Sequence, residues 1–368
     1  MLVNRTAVSR ILFCTVVGLG QTMVSAIPQQ QPGSSNNQLC NGHAELCSRK
    51  YNNVSFACTH NAYSYPPPED YLVLNQARTI QEQLDDGVRA FMLDVVRSYS
   101  DHGDNNSTSS NSEGVGGIIG SVIDQFTSIF SRKLQHKRED PIGSVHLCHE
   151  SCVLIDKGRL VDSLKVFKSF MDANPREVVT FIIENVSGFT PDQLSPSFEQ
   201  AGLDKYAYAP AFTPRTLHNG YPWPTLAELI EKNQRLVVFM DDNADTSVVP
   251  YILPEWEYVV EIPYSNINPV KSFPCNQDRP HDGIPRDLLV LNHFVYNRVT
   301  VAGKNIDSPI NPTQVEEHGY NTLKSLSAHL DVCKSTWGGR VFNYITLDYY
   351  DIGDGGIFKA VDMANGLS

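Results

Sequence analysis

The chain holds no basic run. Its 29 Lys and Arg face 41 Asp and Glu, giving a net charge of −12 and a pI near 5.3. Without a cluster of phosphate-neutralising cations, the composition argues against nucleic acid as the main partner. Long apolar runs are also scarce. The clearest is "ILFCTVVGLG", which follows Arg5 and Arg10 and precedes the small-residue exit "VSA" at Val24 to Ala26. A basic start, a short apolar core and that exit read as a cleaved secretory signal over residues 1–26, because the run is short for a span of about 20 residues. The C-terminal "DMANGLS" has no hydrophobic tail, so no lipid anchor is expected there. No glycine-rich fingerprint follows the first strand-like run, which argues against an open dinucleotide-binding sheet. The expected product is secreted and extracellular, with one domain over 27–368.

Cysteines are few, eight in all, and Cys14 would leave with the signal. Close spacing suggests Cys40 with Cys47 and Cys148 with Cys152, leaving Cys275 with Cys333 and Cys58 as a buried free thiol. These spacings form no zinc pattern. Asn-x-Ser/Thr sequons stand at Asn53, Asn105, Asn106 and Asn185, and the pair in the polar loop is expected to carry glycan.

Short apolar, β-branched runs fill most of the remaining chain. They are 53–61, 87–96, 144–151, 177–185, 235–242, 257–265, 287–294 and 343–353. Their continuous apolar character is that of strands covered on both faces. Between them, 158–175, 225–233 and 321–333 repeat apolar residues at helical spacing. Eight strands alternating with helices predict an α/β fold, a single-domain (β/α)8 TIM barrel. The open doubly wound sheet is the alternative. A low-complexity stretch, "DHGDNNSTSSNSEGVGG" (101–117), and a helical pattern over 118–134 interrupt the alternation after the second strand. Within this 101–142 insertion, the apolar face from Ile119 to Leu134 either packs on the barrel or contacts lipid near its mouth.

In such a barrel the chemistry sits at the C-terminal ends of the strands. The first run, "NVSFACTHN", ends in His60 and Asn61; the second, "GVRAFMLDVV", presents Asp94, with Arg89 further back and Arg97 just beyond. The third ends in His149-Glu150, the fourth in Glu184-Asn185, the fifth in Asp241-Asp242, the seventh in Asn292-His293 and the eighth presents Asp348. Asn61, Asp94 and Glu184 are hard oxygen donors suited to Ca²⁺ or Mg²⁺. His60 and His149 offer an acid and a base that titrate near neutral pH. Together they suit phosphodiester cleavage, in which positive charge offsets the phosphoryl oxygens while the imidazoles move protons.

"THN", "GVRAFMLD", "LCH" and "VVTFIIEN" at this spacing resemble the phosphatidylinositol-specific phospholipase C X-domain superfamily. With "CNGHAELC", "RLVVFMDD", "LLVLNHF" and "LDYYDIGDGG", the mature chain is most similar to its secreted fungal branch of phospholipase C-like phosphodiesterases. The resemblance implies a phosphoric diester hydrolase acting on a phospholipid or glycerophosphodiester head group. It implies His60 and His149 as the catalytic pair, Arg89 or Arg97 stabilising phosphorane-like charge, and Asn61, Asp94 and Glu184 as ligands of Ca²⁺ (or Mg²⁺). Met92 departs from the pattern, for a thioether stands where a carboxylate ligand is expected and cannot replace it. A degenerate site that binds head groups without turnover is the alternative, and a glycosidase using Asp94 and Glu184 would leave both histidines idle. A monomer is expected, with peripheral membrane contact.

Overall fold

The computed structural model describes residues 39–67, 74–98, 144–149, 152, 155–211, 221–301 and 304–367. The signal-like segment and the 101–142 insertion lie outside the described residues. Those described belong to one compact unit, Gln38–Ser368.

Eight parallel strands form the frame: β1 (Phe56–Thr59), β2 (Ala90–Arg97), β5 (Val179–Glu184), β6 (Leu236–Met240), β7 (Ile252–Pro254), β8 (Val259–Glu261), β9 (Leu288–Asn292) and β12 (Tyr344–Leu347). Two further strands, β3 (Val145–Cys148) and β4 (Asp156–Arg159), form an antiparallel ribbon, and β10 (Tyr296–Val301) pairs antiparallel with β11 (Lys304–Pro309). The parallel order is β7-β6-β5-β2-β1-β12-β9-β8. Its two edge strands are joined by the four-residue helix α5 (Glu255–Tyr258). At 1.5 Å per residue that helix spans about 6 Å, so the sheet must curl back on itself. Among the described residues no ladder joins β7 to β8, and the curl stops short of a hydrogen-bonded ring.

Alternation along the strands divides the apolar side chains between two cores. Leu236, Val238 and Met240 of β6 pack with Phe91, Leu93, Phe181 and Ile183 on one face. Val237 and Phe239 pack with Met92, Ile182, Trp223 and Tyr344 on the other. Period-two geometry requires this division when both faces of a sheet are covered. Helix α2 (Leu160–Ala173) covers the outer face with Leu160, Leu164, Phe167 and Phe170. The predicted helical patterns also appear as α4 (Leu226–Glu231) and α7 (Leu323–Thr336). Helix α1 (Ile80–Asp86) begins at Thr79, whose hydroxyl accepts from the Glu82 amide while Glu82 reaches back, and Gly87 at φ 109° ends it. That reciprocal cap satisfies amides that the first helical turn leaves orphaned.

One predicted strand takes a different role. The run 144–151 holds β3, but β3 runs antiparallel along the far end of β2, with Val95 opposite Leu147 and Arg97 opposite Val145. In the parallel sheet β2 pairs directly with β5, and the eighth parallel strand is β7, at the edge beyond β6, whose three residues are too short to register as an apolar run. All three disulfides form as the spacing suggested, and Cys58 is free and buried.

Candidate active site

Strand ends and the loops after them enclose a cavity of about 130 Å³. His60, Asn61, Asp94, His149 and Glu184 line it together. They come from the ends of β1, β2, β3 and β5. Asp94 and Glu184 stand side by side in the β2–β5 register.

His60 is held from two sides. Its Nδ1 lies 2.9 Å from Asp348 Oδ1, and its ring stacks on Phe294 with centroids 4.0 Å apart and planes 3° apart. A carboxylate at Nδ1 keeps the proton there and leaves Nε2 as the basic atom. Asn75 Nδ2 donates to the same Asp348 oxygen at 3.1 Å, locking the carboxylate in turn. The following residue, Asn61, takes φ 43°, a left-handed conformation asparagine tolerates better than most side chains. The opening strand thus ends by setting an oriented imidazole and an amide at the cavity.

Asp94 accepts from the Tyr63 hydroxyl at 2.8 Å. Asn61 faces it in one of two ways. With its nitrogen turned toward Asp94 it donates at 2.9 Å; with its oxygen there, two acceptors oppose each other, which a shared cation relieves. Three hard oxygen groups on adjoining strand ends fit the chemistry of a Ca²⁺- or Mg²⁺-type site. Met92 also lines the cavity and adds no such ligand. His149 follows β3 directly, beside the Cys148–Cys152 disulfide, and is 9% exposed.

Arg89 is elsewhere. Its side chain bonds Glu177 at 2.7 Å and the carbonyls of Leu84 and Val88, under Phe170, and it lines a separate cavity with Glu177 and Asp86. It precedes β2, about 16 Å of extended chain before Asp94, so its expected catalytic role is corrected to an ion pair at the other end of the strand. Arg97 sits over the Phe189 ring and is not among the lining residues.

The guanidinium in the lining is Arg279, from the segment between β8 and β9. It donates through Nε to Glu261 Oε2 at 3.0 Å and through Nη2 to the same oxygen. It also lies over the rings of Trp256 and Tyr264. Burial works against its charge, but Glu261 and Glu255 outweigh that and hold it protonated. Glu255 and Glu261, at the two ends of the α5–β8 segment, and Asp241 after β6 complete an acidic lining. Burial, then the neighbouring Glu261, pushes the Glu255 carboxyl well up, and burial raises Asp241.

Asp242 is not among the lining residues. His293 is fully buried behind the cavity, its Nδ1 2.8 Å from His329 Nδ1. His329 is likewise a core residue, although its helix position in the sequence would suit a solvated side chain. The Asn185 sequon is closed, since its amide bonds the Phe189 and Asp242 carbonyls from a buried position. Arg279, Glu255, Glu261, Phe294 and Tyr296 were missed. Glu261 ends β8 but lies in the middle of the sixth apolar run, 257–265, so it carried no strand-end signal. Arg279 sits in an irregular segment where no periodicity points.

Residues 96–365 match the family model PI-PLC X 1. A PI-PLC X domain-containing protein 1 of Arthroderma benhamiae is 32% identical over 95% of this chain and 95% of that protein. An uncharacterized secreted protein of the same fungus is 27% identical over 92% of this chain and 66% of its own length. Among solved structures, the phosphatidylinositol-specific phospholipase C from Listeria monocytogenes aligns with a TM-score of 0.48 at 11% identity, over 87% of this chain and 97% of that one.

Proposed function

Because the chain belongs to the PI-PLC X family, we propose that it is a secreted phosphoric diester hydrolase of the phospholipase C type, built on a (β/α)8 barrel left open between β7 and β8. The observation that carries this reading is the Asp348–His60 pair facing the cavity that His149 also lines. Asp348 keeps the proton on His60 Nδ1, and His60 Nε2 takes the proton of the attacking hydroxyl. His149 gives a proton to the leaving oxygen. The attacking hydroxyl belongs to the head group where a neighbouring one exists, and to water otherwise. Arg279 takes over the charge-stabilising role first given to Arg89, its guanidinium anchored by Glu261.

Asn61, Asp94 and Glu184 would hold a hard divalent cation. When bound, that ion supplies positive charge beside the phosphoryl oxygens. Secretion is supported by three disulfides, which persist in oxidising compartments, and by the sequence pattern of the first 26 residues.

The test is turnover of a panel of phospholipid and glycerophosphodiester substrates by the purified chain, with and without chelator, with products identified. A cyclic phosphate marks attack by the head group and a phosphomonoester marks water. Wild-type protein that cleaves no member of the panel removes the reading.

A further inference from the structure

The proposed reaction occupies the strand-end rim of the cavity and leaves its acidic wall without a task. Glu255 and Asn292 are each 1% exposed and both line the cavity. Among the described residues, Glu255 Oε1 and Asn292 Oδ1 have no hydrogen-bond partner. The remainder of the Asn292 amide is committed: Nδ2 donates to the Ile262 carbonyl at 2.9 Å and to Glu261 Oε2 at 3.3 Å. Turning the amide over would forfeit both bonds, so Oδ1 stays as an acceptor aimed at the cavity. Buried acceptors are rarely left unmade, and an exception calls for a reason such as a ligand.

Charge indicates which donors fit. With Asp94 and Glu184 given to a cation, Asp241, Glu255 and Glu261 still line the cavity against one guanidinium among the described residues, that of Arg279, which Glu261 already engages. A neutral polyol would satisfy the acceptors and leave that anionic surplus unanswered. A quaternary ammonium would answer the charge but has no N–H to give. A primary ammonium does both, with three donors on one positive atom. The cavity of about 130 Å³ is small beside the roughly 300–1,000 Å³ of pockets for drug-sized ligands, which favours a compact head group.

Resting on the phosphodiesterase reading, we propose that Glu255 and Asn292 form a subsite for a primary ammonium head group, so that the preferred substrates are ethanolamine-type phosphodiesters. The diester phosphate lies between His60 and His149, and the ammonium points at Glu255 Oε1 and Asn292 Oδ1. In the free protein burial and then Glu261 push the Glu255 carboxyl well up, and an ammonium beside it would offset that repulsion.

The full chain carrying His149→Ala binds without consuming its ligand, so calorimetry with glycerophosphoethanolamine, glycerophosphoinositol and glycerophosphocholine reads recognition apart from turnover. The ethanolamine diester should bind at least about tenfold tighter than the other two, and Glu255→Gln in the same background should abolish that preference. Vesicles of phosphatidylethanolamine against phosphatidylcholine form the second arm. A preference shown by the soluble diester assigns recognition to the head group alone. A preference confined to vesicles assigns it to the head group presented on lipid, and either supports the subsite. Equal binding of all three diesters with no vesicle preference, or tightest binding of the inositol diester, overturns it. If Glu255→Gln does not fold, the rank order with Glu255 intact decides. Ammonium preference without wild-type turnover would keep the subsite and remove the catalytic reading, so the two fail separately.

Discussion

Asp348 decides which nitrogen of His60 meets the substrate, and its 2.9 Å contact is the bond whose loss should be felt most narrowly. Asp348→Asn can offer its amide nitrogen to His60 Nδ1, which turns the ring toward the wrong tautomer while keeping nearly the same volume. The expected result is a fall in kcat on the order of 10²-fold with KM little changed, by the logic of an orienting carboxylate behind a catalytic imidazole. A change confined to KM would show that Asp348 serves binding. The five residues singled out in the sequence, both histidines and the three oxygen donors, do line one cavity, and four of them follow or end an apolar strand while Asp94 lies within β2. The same reading missed the partners that orient them. Phe294 was not singled out, and Asp348 was named only as a strand-end residue: its pairing with His60 joins residues 288 positions apart, which no local pattern encodes.

At the scale of elements, the β3–β4 ribbon carries His149 outside the parallel sheet. The disulfide from Cys148 to Cys152 closes a short loop around it. Cys148→Ser with Cys152→Ser should lower kcat by about tenfold or more while shifting Tm less than loss of the Cys275–Cys333 bridge, since stabilisation by a crosslink grows with the loop it closes. Paired activity and melting measurements check both halves. The third apolar run read correctly as a strand. Its direction was misread because antiparallel pairing along the end of β2 and parallel pairing inside a barrel demand the same residue types.

Behind the cavity, β9 leads into His293, which meets His329 of α7. Burial, then His329, lowers His293 to about 3, and burial lowers His329 to about 4. Unfolded, both titrate near 6.5. Between about pH 6.5 and 4 the unfolded chain therefore binds more protons than the folded one, and stability falls as pH drops. The slope reaches at most about 1.4 kcal/mol per pH unit for each ring, and the contribution levels off below about pH 3. His329→Gln keeps a hydrogen-bonding group without the titration and should shed up to about half of that acid slope, read as Tm from pH 7 to 4.

For the whole molecule, the fold was legible because eight covered strands impose a recurring apolar pattern that helices interrupt. Closure was not legible: β7 and β8 hold three residues each, and α5 between them is a single turn. The acidic character of the lining follows the chain's overall −12 charge but exceeds what charge balance at a phosphate would choose. Chelation should therefore reduce turnover if Asn61, Asp94 and Glu184 hold a cation, with recovery on adding Ca²⁺ or Mg²⁺. Turnover indifferent to chelator would assign the positive charge to Arg279 alone.

Two imidazoles from the first and third strands, the chain's own His60 and His149, are held to act on one phosphorus atom. The most direct measurement is the turnover of His60→Ala, His149→Ala and the double variant on one diester. Groups that work as a unit lose activity non-additively, so each single variant should fall by about 10²–10⁴ and the double variant scarcely further. Losses that multiply, or a single variant as active as the parent, would contradict the account.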